Sequence, residues 1–137
     1  MKKTEIIAEA GVNHNGKLVL AKKLALNAKK AGADYIKFQI YNADEIATLK
    51  LKKAAYQKKN SINKNENQKE MLKNLSLTHK DFNKLINYCR KIEIKFLASI
   101  FDLDSLKYLE KKTKIIKIGS SEITNFILLK HVALLNK

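Results

Sequence analysis

The sequence has little of several features that mark particular classes of protein. Cys89 is the single cysteine among 137 residues, so no internal disulfide can form, and a reducing cytoplasm is the expected compartment. No apolar run approaches the ~20 residues that span a bilayer, and nothing at the amino terminus has the pattern of a signal peptide. These absences favour a cytoplasmic domain with a packed core over a secreted or membrane protein.

Arginine and acidic residues are also scarce. The net charge is +15, from 28 basic against 13 acidic residues, and such an excess is typical of nucleic-acid-binding proteins. However, Arg90 is the one arginine, whereas base readout and bidentate phosphate contacts favour arginine. The lysines are spread along the chain instead of forming one block. A solvated lysine-rich surface is the favoured interpretation, and a basic module for nucleic acid or another polyanion is kept as the alternative.

Short β-rich runs alternate with amphipathic segments along the chain. Strands are predicted over 5–9, 35–39, 94–99 and 115–118. Helices are predicted over 18–31 with Gly32 as its end, over 68–74, from Thr78 through 89, from Asp102 or Asp104 through 109, and after Asn125. This alternation predicts a parallel sheet with right-handed crossovers, either an open doubly wound sheet or part of a (β/α)8 barrel. Residues 40–67 form a long polar connection, which in a compact domain is usually functional or mobile.

Polar side chains stand at or just beyond the end of each predicted strand. They are Glu9; Lys37 and Gln39; Ser99 with Phe101-Asp102; and Lys117 with Ser120 and Glu122. Because the carboxyl ends of parallel strands meet at one rim, we expect these side chains to converge there. Lysines and hydroxyls suit a phosphate and a carboxylate, and two carboxylates can hold sugar hydroxyls or move protons.

Each of these residues also has a purely structural interpretation. Ser99 and Ser120 can satisfy local backbone groups, and Glu122 can be a carboxylate at a helix start. His14 is interpreted as a turn or orienting residue, because no second histidine or cysteine stands at metal-ligand spacing from it. No Gly-x-Gly-x-x-Gly follows the first strand, which argues against a dinucleotide-binding fold.

Five collinear stretches carry a family resemblance. They are AEAGVNHNG at 8–16, AGADYIKFQ at 31–39, KAAYQ at 53–57, FLASIFD at 96–102 and KIGSSEITN at 117–125. Together they resemble the sialic acid synthase family, which includes the legionaminate and pseudaminate synthases. The chain departs from the usual Ser-Thr-Pro of that family at Ala98-Ser99-Ile100. It also departs from the usual Pro-Ser-Gly-Glu at 119–122, where Ser121 would be strained if that position needs a positive φ.

The resemblance implies an α/β fold of the (β/α)8 TIM-barrel type. A full barrel needs roughly 250 residues, so residues 1–137 are expected to be its amino-terminal half, the first four β/α units, as a fragment or a truncated product. The implied reaction joins phosphoenolpyruvate to N-acetylmannosamine and gives N-acetylneuraminate. A legionaminate or other aldulosonate synthase that uses a different acceptor sugar is the alternative. The family is expected to be homodimeric and to use divalent manganese or magnesium, with metal ligands outside this chain.

The resemblance also implies individual residue roles. Lys37, Ser99, Lys117 and Ser120 would hold phosphoenolpyruvate, and Glu9 and Gln39 would bind the amino sugar. Asn60, in the long connection, is a weaker candidate for binding the sugar. Glu122 would sit at the reacting centre, so Glu122, Glu9 and Lys37 are the candidate catalytic residues. A half barrel further predicts that the first and fourth strands leave unpaired edges, which we expect to cause dimerisation or poor solubility, and that the isolated chain is inactive.

Overall fold

The chain forms one parallel sheet with helical connections. The computed structural model describes residues 4–46, 67–135 and 137. The elements in chain order are β1 (Ile7–Gly11), α1 (Leu18–Lys30), β2 (Tyr35–Ile40), α2 (Ala43–Ile46), α3 (Gln68–Leu75), α4 (His79–Lys91), β3 (Lys95–Ile100), α5 (Leu103–Leu109), β4 (Lys117–Ile118), a 3-10 turn (Ser120–Glu122) and α6 (Phe126–Ala133). None of the described helices is both long enough and apolar enough to cross a bilayer.

The strands lie in the order β1-β2-β3-β4, and each neighbouring pair is parallel. A doubly wound sheet reverses its strand order at a switch point, whereas this order runs straight from one edge to the other. The described residues therefore form four successive β/α units, as expected for half of a (β/α)8 barrel.

The core lies between the sheet and helices α1 and α4. Strand residues that alternate along the sequence point to this side, and Phe38, Ile36 and Ile100 are at most 2 % exposed. They pack with small residues of α1 and larger residues of α4, among them Ala21, Ala25, Phe82, Leu85 and Cys89. Burial raises the pKa of the Cys89 thiol to about 12, so Cys89 is a core residue, as predicted, and not an activated nucleophile.

Polar side chains cap the starts of α4, α5 and α6, and a glycine ends α1. The Thr78 side chain accepts a hydrogen bond from the Asp81 amide at the start of α4, and the Asn125 side chain does the same from the Leu128 amide in α6. Asp102, not Asp104, caps α5. Gly32 follows α1 with a φ of +83°, the left-handed conformation that ends many helices.

The two edge strands differ from their predicted bounds. β1 was predicted over 5–9 but is Ile7–Gly11, because a bulge between Glu9 and Gly11 lets the pairing with β2 continue. β4 was predicted over 115–118, but Lys117 and Ile118 alone are paired, opposite Ser99 and Ile100 at the end of β3. Residues 115 and 116 lie before this pairing begins.

Candidate functional site

Lys37 lies at the centre of the candidate site. Its neighbours across the sheet are Glu9 on β1 and Leu97 on β3, so Glu9 and Lys37 project from the same face. The Lys37 ammonium forms an ion pair with the Glu9 carboxylate and lies 3.4 Å from the Ser99 hydroxyl oxygen, to which it donates. The Lys37 side chain is 16 % exposed and the Glu9 side chain 51 % exposed. The pair therefore places a positive and a negative group on the face opposite the helices.

A second row of polar residues lies one step nearer the carboxyl ends of the strands. Gln39, Ser99 and Lys117 are direct neighbours in register across β2, β3 and β4. Ser99 is 4 % exposed, whereas Lys117 is exposed and its ammonium donates to the Ile118 carbonyl. Parallel pairing thus brings Glu9, Lys37 and this row to one face, although their chemical roles stay predictions.

Gly11 borders the space between Glu9 and Gln39. Its φ is +52°, a conformation that glycine adopts without strain. A Cβ placed on Gly11 would lie 3.4 Å from Glu9 Oε1 and 3.8 Å from Gln39 Nε2. The glycine therefore leaves the two side chains adjacent at the end of β1, and these are the residues that the resemblance assigns to the sugar.

Ser120 and Glu122 lie in the 3-10 turn that follows β4. The Glu122 carboxylate accepts hydrogen bonds from Ser121 Oγ at 3.0 Å and from Asn125 Nδ2 at 2.9 Å. The contacts found for Glu122 are thus with residues within three positions of it along the chain, and they do not join it to Lys37. In the described part of the chain, the non-glycine residues with a positive φ are Asn15 and Glu93, so Ser121 does not have that conformation. The possible strain at Ser121 does not arise.

A buried carboxylate ties the loops after β2 and β3 together. Asp102 is 5 % exposed. Its Oδ2 accepts from the Asn42 amide at 2.7 Å and from Ser105 Oγ at 2.9 Å, and its Oδ1 accepts from the Ser105 amide at 2.7 Å. The sequence placed Asp102 at the end of the third strand and as a possible helix cap, but it did not reveal the hydrogen bond to Asn42, which spans 60 residues.

Phe101, which directly follows β3, contacts the loops that follow β2 and β4. The Phe101 ring lies edge-on to Tyr41 with 6.2 Å between ring centroids. A Cβ on Gly119 would lie 2.5 Å from this ring, which is closer than real contacts allow. Gly119 is therefore required by close packing, and the Phe101–Asp102 pair holds the exits of three strands near one another.

His14 is buried in the loop between β1 and α1. Its Nδ1 accepts from the Gly16 amide at 3.2 Å, and its ring lies 5.9 Å from the Phe38 ring. Its Nε2 has no hydrogen-bond partner in the part of the chain that is described. Burial lowers the pKa of the imidazole, which favours the neutral form. This placement agrees with the predicted turn role.

Two sequence predictions gain no structural description. Asn60 and the motif at 53–57 lie outside the described residues. Within 4–46, 67–135 and 137, no group of three or more histidine, cysteine, aspartate or glutamate residues is placed to hold a metal ion. The expectation of metal ligands elsewhere stays a prediction.

Comparison with known proteins gives this site its context. The sequence profile of the NeuB family matches residues 24–137. The chain belongs to the NeuB family. It is 51 % identical to the N,N'-diacetyllegionaminic acid synthase of Campylobacter jejuni over 138 aligned residues, which cover 100 % of this chain and 41 % of that protein. It is 33 % identical to the N-acetylneuraminate-9-phosphate synthase of Mus musculus, covering 93 % of this chain and 35 % of that protein.

Solved structures of the family have the same arrangement of elements. The sialic acid synthetase of Leptospira borgpetersenii, in complex with citrate, superposes with a TM-score of 0.77 at 32 % identity, covering 98 % of this chain and 42 % of that one. The spore coat polysaccharide biosynthesis protein SpsE of Bacillus subtilis gives 0.70 at 35 % identity, covering 97 % and 34 %. The NeuB chain thus spans between about one third and two fifths of the length of these relatives. The predicted (β/α)8-type fold, with four β/α units in this chain, is confirmed.

Proposed function

We propose that this NeuB chain forms the phosphoenolpyruvate-binding half of a nonulosonic acid synthase. The supporting observation is the cluster of Lys37, Ser99 and Glu9 on one face of the sheet, with Gln39 and Lys117 in the next row. Phosphoenolpyruvate carries a phosphate and a carboxylate, and ammonium and hydroxyl donors form strong charge-assisted hydrogen bonds with both groups.

The Lys37 ammonium is the cation best placed to receive such an anion. Its stem is largely buried, so the charge is held in position over the sheet, and Ser99 adds a second donor 3.4 Å away. Glu9 balances the charge of Lys37 in the free protein. An arriving phosphate or carboxylate would compete with Glu9 for the ammonium, which would free the Glu9 carboxylate to accept hydrogen bonds from sugar hydroxyls. Lys117 and Ser120 would complete the anion site.

The proposed reaction forms one carbon–carbon bond and releases phosphate. C3 of phosphoenolpyruvate bonds to the aldehyde carbon of an open-chain amino sugar, whose oxygen takes up a proton. Water adds at C2 and loses a proton, and the C2–O bond to phosphate breaks. Glu122, fixed by Ser121 and Asn125, is proposed to orient the water or handle its proton, as a positioned carboxylate can.

The proposed acceptor is an N-acyl amino sugar, and two members of that class are candidates. N-acetylmannosamine would yield N-acetylneuraminate. The 51 % and 45 % identities to two N,N'-diacetyllegionaminic acid synthases, against 33 % for the mouse N-acetylneuraminate-9-phosphate synthase, favour a sugar with two acetamido groups. The product of such a synthase would be a diacetyllegionaminic acid, which contains three carbons from pyruvate. Removing those three carbons leaves a six-carbon sugar with two acetamido groups as the acceptor. Relative turnover of the two sugars by a protein with the complete barrel decides between them.

A divalent metal would polarise the acceptor aldehyde in the full-length family. The described residues form no donor set for such an ion, so no step above passes through it. This half is proposed to bind and orient the substrates.

Titration calorimetry of phosphoenolpyruvate into the chain tests the proposal. We expect binding that Lys37→Met weakens at least about tenfold, a loss of about 1.4 kcal/mol or more. Lys95→Met is the matched control, because Lys95 projects from the same sheet face at the other end of β3, where it pairs with Glu5. Equal losses from both variants would overturn the assignment of Lys37.

Two further measurements separate the proposal from its alternatives. Turnover by the isolated chain with manganese, phosphoenolpyruvate and N-acetylmannosamine would refute the proposal that half of the site is missing. Binding of DNA that is tighter than binding of phosphoenolpyruvate and weakens steeply with salt would instead support a polyanion-binding module.

A further inference from the structure

Basic side chains are concentrated on the outward surface of α1 and α4. The two helices carry eight basic residues against one acidic residue, Asp81. The basic residues, which we call the basic helix surface, are Lys22, Lys23, Lys29, Lys30, Lys80, Lys84, Arg90 and Lys91. The sequence separates them into two groups, but the fold joins the groups because α1 and α4 pack against each other.

Contacts between the two helices show that their basic groups meet. The Lys22 ammonium lies 5.4 Å from the centre of the Tyr88 ring on α4. The Lys29 ammonium donates to the Glu93 carbonyl, just beyond the end of α4, at 2.7 Å. Both helices connect strands of one parallel sheet, so they run in the same direction. The basic helix surface is therefore continuous across the line where α1 meets α4.

The spacing of the lysines directs their charges outward. On α4, Lys80, Lys84 and Lys91 follow at intervals of four and seven residues, which places them on one side of the helix. On α1, Lys23 and Lys30 are seven residues apart and also share a side. All five lysines are exposed, whereas the other side of each helix is buried in the core. Within the described residues, an ion pair is found for just one of these five ammonium groups, that of Lys84.

We propose that the basic helix surface binds the headgroups of an anionic phospholipid membrane. Each helix has 13 residues and is therefore about 20 Å long, and packed helices lie about 8–10 Å apart. The ammonium groups are thus distributed over a broad area instead of converging on one point. Anionic headgroups can move within the bilayer to match such distributed charges, and each lysine near the membrane surface adds to the attraction.

Three features favour lipid over nucleic acid as the occupant. Seven of the eight basic residues are lysines, whereas bidentate contacts to phosphates and bases favour arginine. The two helices lie side by side, so together they are wider than the ~12 Å major groove that admits a single helix. The Tyr88 ring is half-buried and lies under the Lys22 ammonium, so it offers no open platform on which bases could stack.

An acidic protein surface fits these helices less well. Protein interfaces are built around aromatic or apolar anchors and are depleted in lysine. On α1 and α4, the exposed large apolar side chains are Val19 and Leu20, both in the first turn of α1. The remaining apolar sides of the two helices pack in the core. The proposed membrane binding therefore depends on charge and not on insertion of a helix into the lipid.

The basic helix surface is separate from the proposed phosphoenolpyruvate site. The helices cover one face of the sheet, and the Lys37–Glu9 ion pair projects from the opposite face. A membrane bound to the helices therefore leaves Lys37 accessible. The membrane proposal does not rest on the proposed synthase activity, and its tests need no substrate.

Sedimentation with lipid vesicles tests the proposal. One sample contains vesicles of phosphatidylglycerol and phosphatidylcholine in equal parts, and the other contains vesicles of phosphatidylcholine alone. We expect at least about tenfold tighter binding to the anionic vesicles. Raising NaCl from about 0.1 M to about 1 M should release the chain, because the Debye length falls from about 10 Å to about 3 Å. Equal binding to both kinds of vesicle, or no binding to anionic vesicles at low salt, would overturn the proposal.

Charge-reversed variants locate the binding surface. The double variant Lys23→Glu/Lys80→Glu reverses one charge on each helix and should weaken binding to the anionic vesicles at least about tenfold. Lys111→Glu/Lys114→Glu is the matched control, because it changes the net charge equally at exposed positions between α5 and β4. The control should bind within about threefold of the original chain. Equal losses from both double variants would mean that net charge alone drives binding, and the assignment to α1 and α4 would be wrong.

A DNA duplex serves as the competitor that distinguishes lipid from nucleic acid. At the same NaCl concentration and the same total phosphate, we expect the duplex to displace less than half of the chain from the anionic vesicles. Complete displacement, together with loss of duplex binding in Lys23→Glu/Lys80→Glu, would assign the surface to nucleic acid and overturn the membrane proposal. All four substituted positions are exposed, so both double variants should keep the circular dichroism spectrum of the original chain.

Discussion

The two faces of the central strands differ sharply in composition and burial. On the helix-facing side, Phe38 and Ile100 are 0 % exposed and pack within the core. On the opposite side, Lys37 is paired with a Glu9 that is half exposed. Because side chains alternate along a strand, adjacent positions of β2 serve different purposes. Substitutions at neighbouring residues should therefore change different measured quantities.

The largest effect is expected from Phe38→Ala on the helix-facing side. Removal of this fully buried ring leaves a cavity between β2 and the helices. The free energy of unfolding should fall by about 3–5 kcal/mol, the usual cost of truncating a buried phenylalanine. Urea denaturation followed by circular dichroism measures this change. A loss below about 1 kcal/mol would mean that this face is not the packed side of the sheet.

An intermediate effect is expected from Asp102→Ala at the rim. This variant leaves the Asn42 and Ser105 amides without their buried acceptor and removes the cap of α5. We expect a loss of about 2–4 kcal/mol in the free energy of unfolding, measured by the same urea titration. Asp102→Asn is the control, since one acceptor oxygen remains, and it should cost roughly half as much. Equal stability of the two variants and the original chain would show that this carboxylate does not hold the loops together.

A much smaller effect on stability is expected at Lys37, which precedes Phe38 in the sequence and points to the opposite face of the sheet. Lys37→Met should change the free energy of unfolding by no more than about 1 kcal/mol, because its ion pair with Glu9 is partly solvated. The same variant should lose anion binding. If Lys37→Met proved as destabilising as Phe38→Ala, the division between a stabilising face and a binding face would be wrong.

The sequence allowed much of this comparison to be predicted. The alternation in Tyr35–Ile40 predicts β2 and its two faces, and polar caps such as Thr78 and Asn125 predict where helices begin. Parallel pairing puts the strand-end residues of β1 to β4 on one face, as the topology rule predicts. Ser120 and Glu122 lie beyond β4, and the contacts found for Glu122 do not join it to this group. The features that were predicted correctly depend on residues near one another in the chain or on a general rule of topology.

Other features depend on contacts between distant residues, and the sequence did not reveal them. The bulge at Gly11 depends on pairing with β2, and it moved the end of β1 by two residues from its predicted place. The Asp102–Asn42 hydrogen bond and the packing of Phe101 on Gly119 join separate loops. The length of β4 is two residues because its pairing with β3 begins at Ser99, and β3 ends at the next residue, Ile100.

The smallest effect is expected from His14, a polar group that lies beside the ring of Phe38. Burial lowers the pKa of His14 from 6.5, so below that pH the unfolded chain binds a proton more readily than the folded chain. The free energy of unfolding should consequently be highest above pH 6.5 and decrease as the pH falls through 6.5 toward the lowered pKa. His14→Gln removes the titrating group, so the pH dependence of its stability should be shallower by this contribution. Parallel urea titrations of both proteins across this range measure the difference. Identical slopes would mean that the imidazole gains its proton as easily in the folded chain as in the unfolded one. In that case the buried surroundings of His14, beside Phe38, would tolerate a positive charge, contrary to the effect expected from burial.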